Sequence, residues 1–141
     1  MASPPACKTP ADIAHRMDLL IHSSQLPGGN SSRAFEGKEH DAGLTLIPVN
    51  VETGHGPNLH RHPYEEIFVV HAGTGSFFVD ESEVQGTAGD IVIAPAGTAH
   101  RFINSGTDRL QLTAIHHNAN FVTEWLEPLT PGQRYWSSEH R

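Results

Sequence analysis

The sequence predicts an all-β domain, an antiparallel sandwich or barrel, and three observations carry that expectation. Short β-rich runs recur at roughly 8–12-residue spacing, with turn residues between them. The 13 Gly and 10 Pro supply frequent chain reversals. The longest apolar runs are about four residues, too short for a membrane span or the core of a signal peptide.

The elements follow in chain order. Residues 1–32 read as an N-terminal extension. Within it Thr9, Pro10 and Asp12 mark a helix start, as N-cap, first helical residue and acidic first turn. Ile13, Met17 and Leu20 keep helical spacing, although Leu19-Leu20-Ile21 also suits a short strand. The stretch 25–32, with Pro27-Gly28-Gly29-Asn30, is a loop. A domain then runs over 33–127. Residues 33–36 suit a short edge strand, and 44–52 form a β-rich run in which Pro48 signals an edge or a bulge. Further strands are expected at 64–71, 76–80, 83–87, 91–94, 100–104 and 110–116, the third and second of these pairing as a hairpin. A short helix is expected at 121–126, ended by Pro128, and 128–141 form a polar tail. Helix is thus confined to the ends of the chain.

Composition excludes several functions. With 141 residues, 37% of them hydrophobic and 18% charged, the chain is ordinary globular material with one sizeable core. A formal charge of -7 with neutral His argues against nucleic-acid phosphates or an anionic membrane as partner. The single cysteine, Cys7, permits no internal disulfide and favours a reducing, cytoplasmic location. The remaining oddity is 11 His, which matter only where they cluster.

They cluster between Gly54 and Gly73. His60, His62 and Glu66 are all even-numbered, and alternate residues of one extended strand share a face. Two imidazoles and a carboxylate converging on one point outline a first-row transition-metal site, with His100 as a candidate fourth ligand. Glu65 and His71 have the opposite parity and are expected to point outward. His15, His22, His40, His55, His117 and His140 read as ordinary surface histidines, whereas the last strand can turn His116 toward a pocket mouth. Phe68 and Phe102 share parity with Glu66 and His100 and should face inward, for core packing or for substrate contact.

Two segments resemble the paired signature motifs of the cupin superfamily. In the first, Gly54, His60, His62, Glu66 and Gly73 fill the pattern of glycine, His-x-His, glutamate and glycine at the family's spacing. In the second, Gly89, Pro95, Gly97, His100 and Asn104 fill the pattern of glycine, Pro-x-Gly, histidine and asparagine. Ten matched positions make a far stronger signal than one short motif. The resemblance covers about residues 54–104 and extends to the flanking strands from about 33 to 116.

The resemblance implies a double-stranded β-helix, or jelly-roll barrel, with His60, His62, Glu66 and His100 on one divalent transition-metal ion: Fe, Mn, Ni, Co, Cu or Zn. Such a site carries a net charge of about +1 and leaves two neighbouring positions of a six-coordinate ion open. They suit a bidentate oxygen ligand, or a substrate atom together with dioxygen. Cupins with this ligand set include dioxygenases, isomerases, cyclases, decarboxylases and lyases, and others that only bind and sense a ligand. The leading expectation is an oxygenase for a small enolisable or phenolic substrate, with Phe68, Phe78 and Phe102 as apolar walls. The alternative is a non-redox isomerase, cyclase or lyase, in which Tyr64, His116 or Glu65 carries protons beside Glu66 and His100. A sensing module is disfavoured because no helix-turn-helix or basic patch is visible. Small single-domain cupins are often homodimers, and the same is expected here.

Overall fold

Nine strands lie among the described residues, and in most of them buried residues alternate with more exposed ones. The computed structural model describes residues 19–127. The strands are β1 (Thr45–Val51), β2 (His60–Arg61), β3 (Glu66–Ala72), β4 (Thr74–Val79), β5 (Ser82–Thr87), β6 (Ile91–Ala94), β7 (His100–Asn104), β8 (Leu110–His116) and β9 (Glu124–Trp125). They form two antiparallel sheets, β1-β8-β3-β6 and β5-β4-β7-β2-β9. This is the expected jelly-roll barrel, and its only helical pieces among the described residues are single 3-10 turns at Ser23–Gln25 and Gly37–His40.

The two inner faces meet in one core. Phe68, Val70, Leu110, Leu112 and Ala114 come from the four-stranded sheet, and Phe77 and Phe102 from the five-stranded one. Phe68, Phe77 and Phe102 form a mutually packed trio with ring centroids 5.3 to 5.8 Å apart. Motif glycines make the reversals between strands. Gly73, between β3 and β4, has a φ of 83°, and a Cβ there would lie 2.4 Å from the Arg109 carbonyl oxygen.

The structure corrects several expectations. His60 to Glu66 do not form one strand. β2 ends at Arg61, Pro63 follows, and the chain crosses to the other sheet before β3 begins at Glu66. Residues 33–36 make only isolated bridges, Arg33 with Gly28 and Phe35 with Leu46, and Ser32 just before them bridges Val49. The segment expected as a helix at 121–126 is instead extended. There β9 pairs with β2, His60 opposite Trp125, and the Leu126 N–H donates to the Leu59 carbonyl at 2.9 Å. Long-range pairing outweighs local preference in so short a piece. Residues 19–21, read as helix or strand, are neither. The start of the helix expected from Thr9 lies outside the described residues.

Candidate metal centre

Each motif histidine is held by its own backbone surroundings. The Nδ1–H of His60 donates to the Asn58 carbonyl at 2.7 Å, that of His62 to Val122 at 2.8 Å, and that of His100 to Thr98 at 2.9 Å. With Nδ1 committed in all three rings, each Nε2 is left to face the interior. This tautomer is the one a metal-ligating imidazole needs, fixed by a hydrogen bond on its far side. Val79 pairs with His100 across the sheet, and His60 pairs with both His100 and Trp125, so β7, β2 and β9 hold the rings side by side. Glu66 enters from the facing sheet as the first residue of β3.

The four groups converge. One ligand atom from each of His60, His62, Glu66 and His100 lies within 4.8 Å of all the others, and all four residues are buried. Glu66 Oε1 is 2.8 Å from His100 Nε2 and 3.0 Å from His62 Nε2. The His62 contact is off the hydrogen-bonding direction, which leaves its Nε2 a buried polar atom without a hydrogen bond. Buried polar atoms of this kind require a partner, and a cation between Oε1 and the Nε2 atoms satisfies every one of them. Three imidazoles and a carboxylate, deeply buried and pre-oriented, fit one divalent transition-metal ion.

Electrostatics tell the same story. Burial pushes His60 down to about 3, against the charge of Glu66, so this ring stays neutral. Burial would raise the Glu66 carboxyl, but the charge of His116 and the close contacts with His100, His116 and His62 hold it well below the ordinary range. For His100, burial alone would lower the ring. Its bond to Glu66, with the Thr98 carbonyl and the Asp80 charge, raises it above 6.5 instead. A proton on His100 Nε2 is therefore the main competitor of a metal ion. Metal affinity is expected to start falling above pH 6.5 and to drop by about tenfold per pH unit for each proton bound as the solution is acidified. Equilibrium dialysis followed by elemental analysis checks this, and metal content that stays constant from pH 7.5 to 5 would contradict it. In the metal-free protein the signs oppose each other. The raised His100 stabilises below 6.5 and loses its effect as pH rises through its folded value. The depressed Glu66 stabilises above 4.5 and loses its effect as pH falls. His60, held down to about 3, stays neutral in the folded chain while the unfolded chain takes up that proton, so stability also falls as pH drops below 6.5. The three groups together place the stability maximum of the metal-free protein at about 6.5.

A second row of residues stands behind the ligands. His116 Nε2 lies 3.1 Å from the other Glu66 oxygen, and its Nδ1 is 2.8 Å from the Tyr64 hydroxyl. The Glu66 carboxylate can only accept, so the His116 proton sits on Nε2 and Nδ1 accepts from the Tyr64 hydroxyl, which itself accepts from the Val122 N–H at 3.3 Å. Tyr64 also stacks on His62 at 5.0 Å with ring planes 6° apart. Thus Tyr64 and His116 lie together with the motif residues, but Tyr64 is behind the ligands and not in the cavity. Residues Phe121 to Trp125 strap the site from outside, and the buried Glu36 carboxylate accepts from the Phe121 N–H at 2.8 Å.

A cavity of about 290 Å³ opens onto His60, Glu66 and His116. Its walls are Ile47, Val49 and Val51 of β1, Phe102, Ala114 and Phe121, with Trp125 beside them and Ser31, Ser32 and His55 among its polar lining. Of the expected wall residues only Phe102 lines it. Phe68 is 2% exposed and belongs to the core trio, and Phe78 lies on the outer face of β4, opposite Arg101. Phe77 is the inward residue of that strand, one position from the expected one. The β1 wall, Phe121, Trp125 and His55 were not anticipated. Alternation along 44–52 was the available signal for Ile47, Val49 and Val51; nothing local marks the others. Ser31 and Ser32 bring part of the expected N-terminal extension into this lining. Glu65 and His71 point outward as expected, toward His117 and the Thr113 hydroxyl respectively.

Known proteins agree with this geometry. Residues 49–116 match the cupin domain family. Similar folds include a conserved protein with a double-stranded β-helix domain from Klebsiella pneumoniae, at 18% identity and a TM-score of 0.63, covering 79% of this chain and 99% of that one. Oxalate decarboxylase of Lactobacillus farciminis, in a formate complex, is 20% identical with a TM-score of 0.66, and the match covers 75% of this chain but only 35% of the enzyme. Peruvianin-I, a cysteine peptidase from Thevetia peruviana latex, is 17% identical with a TM-score of 0.68, over 87% of this chain and 85% of that one. At these identities the likeness is one of fold. No curated protein sequence matches the chain with significance. Both motifs converge on one buried cluster of three histidines and a glutamate inside a double-stranded β-helix, and residues 49–116 are a cupin domain.

Proposed function

We propose that this protein is a metal-dependent enzyme for a small organic molecule, and an oxygenase of the dioxygenase type. The observation that carries the reading is the junction of an apolar cavity with a three-histidine, one-glutamate cluster whose members His60 and Glu66 form part of the cavity wall. When bound, the ion supplies Lewis acidity and, if it is redox-active, one-electron chemistry with dioxygen.

The chain's own residues have separate tasks. His60, His62 and His100 hold the ion through Nε2, each ring locked by its carbonyl partner. Glu66 neutralises one unit of charge, and its second oxygen is held by the His116 Nε2–H. Tyr64 positions His116 through Nδ1. Val49, Val51 and Phe102 exclude water from around the reacting molecule, which strengthens every polar interaction in the site.

The Tyr64–His116–Glu66 chain also favours a second reading, a non-redox isomerase, cyclase or lyase. His116 lines the cavity and holds a proton at Nε2, within reach of a bound molecule. An oxygen electrode separates the two readings. Protein loaded anaerobically with Fe(II) and given a 1,3-dicarbonyl or a catechol is expected to consume dioxygen in step with loss of the organic compound. Loss of the compound without dioxygen uptake would sink the oxygenase and leave the second reading in place. We also take 33–127 as the catalytic domain, with Ser31 and Ser32 added to the cavity lining.

A further inference from the structure

The charge distribution of the cavity bears on what can enter it. Among the described residues no Lys or Arg lines the wall, and Glu66 is the one carboxylate. Besides the metal cluster, a ligand would meet the imidazoles of His55 and His116 and the hydroxyls of Ser31 and Ser32. The rest of the surface is largely aliphatic or aromatic: Ile47, Val49 and Val51 from β1, Ala114 from β8, then Phe102 and Phe121.

Ala114 has a particular place in this wall. It sits opposite Ile47 on one side and Phe68 on the other, two pairs along the ladder from Glu66, which pairs with His116, and so on the same face. Its neighbours at equivalent inward positions, Leu110 and Leu112, are large and fully buried. The small side chain at 114 therefore leaves room just beside the carboxylate. A cavity of about 290 Å³ has the volume of about ten waters, enough for one aromatic ring with a short substituent.

The geometry points to a filter. The site takes ligands that present two neighbouring oxygen donors to the metal and carry an uncharged apolar body against the β1 and β8 wall, and it disfavours small dianions such as dicarboxylates. The donors match the charge of the cluster once, because a divalent ion and Glu66 together leave a single positive charge. A second carboxylate would be buried against Val49, Val51 and Phe102 with no Lys or Arg to meet it, an arrangement that buried charges avoid. An apolar body gains by leaving water for the same wall.

This inference rests on the metal-site reading and tests independently of oxygenation. Titration calorimetry on the full chain loaded with Zn(II) uses three probes: acetylacetone, 1-phenylbutane-1,3-dione and oxalate. The first two share their donors and differ in the apolar body, and oxalate has no body and a second charge. The phenyl diketone is expected to bind at least about tenfold tighter than acetylacetone, with oxalate the weakest. In Ala114→Leu the phenyl diketone should lose about tenfold, with acetylacetone within about threefold and zinc content at the parental level. Phe121→Ala removes a wall from the other side and should weaken the phenyl diketone selectively, so the test does not depend on one variant folding.

Oxalate binding as tightly as the phenyl diketone overturns the filter. So does an unchanged phenyl diketone affinity in both variants. The expected order of binding combined with no dioxygen uptake by the Fe(II) protein sinks the oxygenase and keeps the filter. A chain that takes up no zinc at all ends both.

Discussion

His100→Ala is expected to lose at least about a hundredfold in metal affinity while the barrel stays folded, since it removes a ligand outright where loss of an outer partner alone costs 10- to 100-fold. His62→Ala should behave alike, because its Nε2 is the buried nitrogen that has no other hydrogen-bond partner. The core trio and the strand ladders do not depend on the ion, so circular dichroism of both variants should match the parent. Glu66→Ala should retain part of the metal, held by three imidazoles that keep their carbonyl partners. Glu65→Ala and His71→Ala serve as controls and should hold metal at the parental level, both side chains pointing away from the cluster. Elemental analysis after gel filtration reads all five. Metal lost from Glu65→Ala but kept by Glu66→Ala would assign the wrong carboxylate to the site.

Phe68→Ala should cost about 3–5 kcal/mol, lowering the melting temperature by on the order of 10–20 °C, with ligand binding little changed at temperatures where the variant is folded. The ring is 2% exposed and packs on Phe77 at 5.3 Å and Phe102 at 5.7 Å. It meets His100 only edge-on at 6.1 Å and does not line the cavity. Phe102→Ala offers the contrast, since that ring belongs to both core and cavity and should affect stability and ligand affinity together. Thermal melts paired with calorimetry separate the two. A melting temperature unchanged in Phe68→Ala would place that ring outside the core.

These contrasts show what a sequence can carry. His60, His62, Glu66 and His100 were legible because motif spacing is local and each glycine and proline around them has a backbone reason. Shared parity alone does not bring His60, His62 and Glu66 together, because the chain changes sheets after Pro63 and brings Glu66 in from the opposite side. Strands 91–94, 100–104 and 110–116 were read to the residue, because turn signals bound them closely. Phe78 was one position off, since a hairpin's register depends on its turn, and the Asp80 backbone there takes a positive φ of 50°. Phe121 to Leu126 has helical spacing, but its partner strand β2 lies about sixty residues earlier, beyond any local pattern. The cavity wall was hidden for the same reason. Facing of β1 toward β7 and the outer strap is a property of the closed barrel and not of any one segment.

The division of the ligands between two sheets has a mechanical meaning. Three imidazoles hang from one side of the barrel and the carboxylate from the other, so a bound ion is a clasp across the seam where the halves would part. A bound ion would then add a tie across that seam to the core contacts that already hold the halves together. The peptide that covers His62 through the Val122 carbonyl lies over the same seam. A barrel opened along this seam would thus lose its ion and its outer strap together.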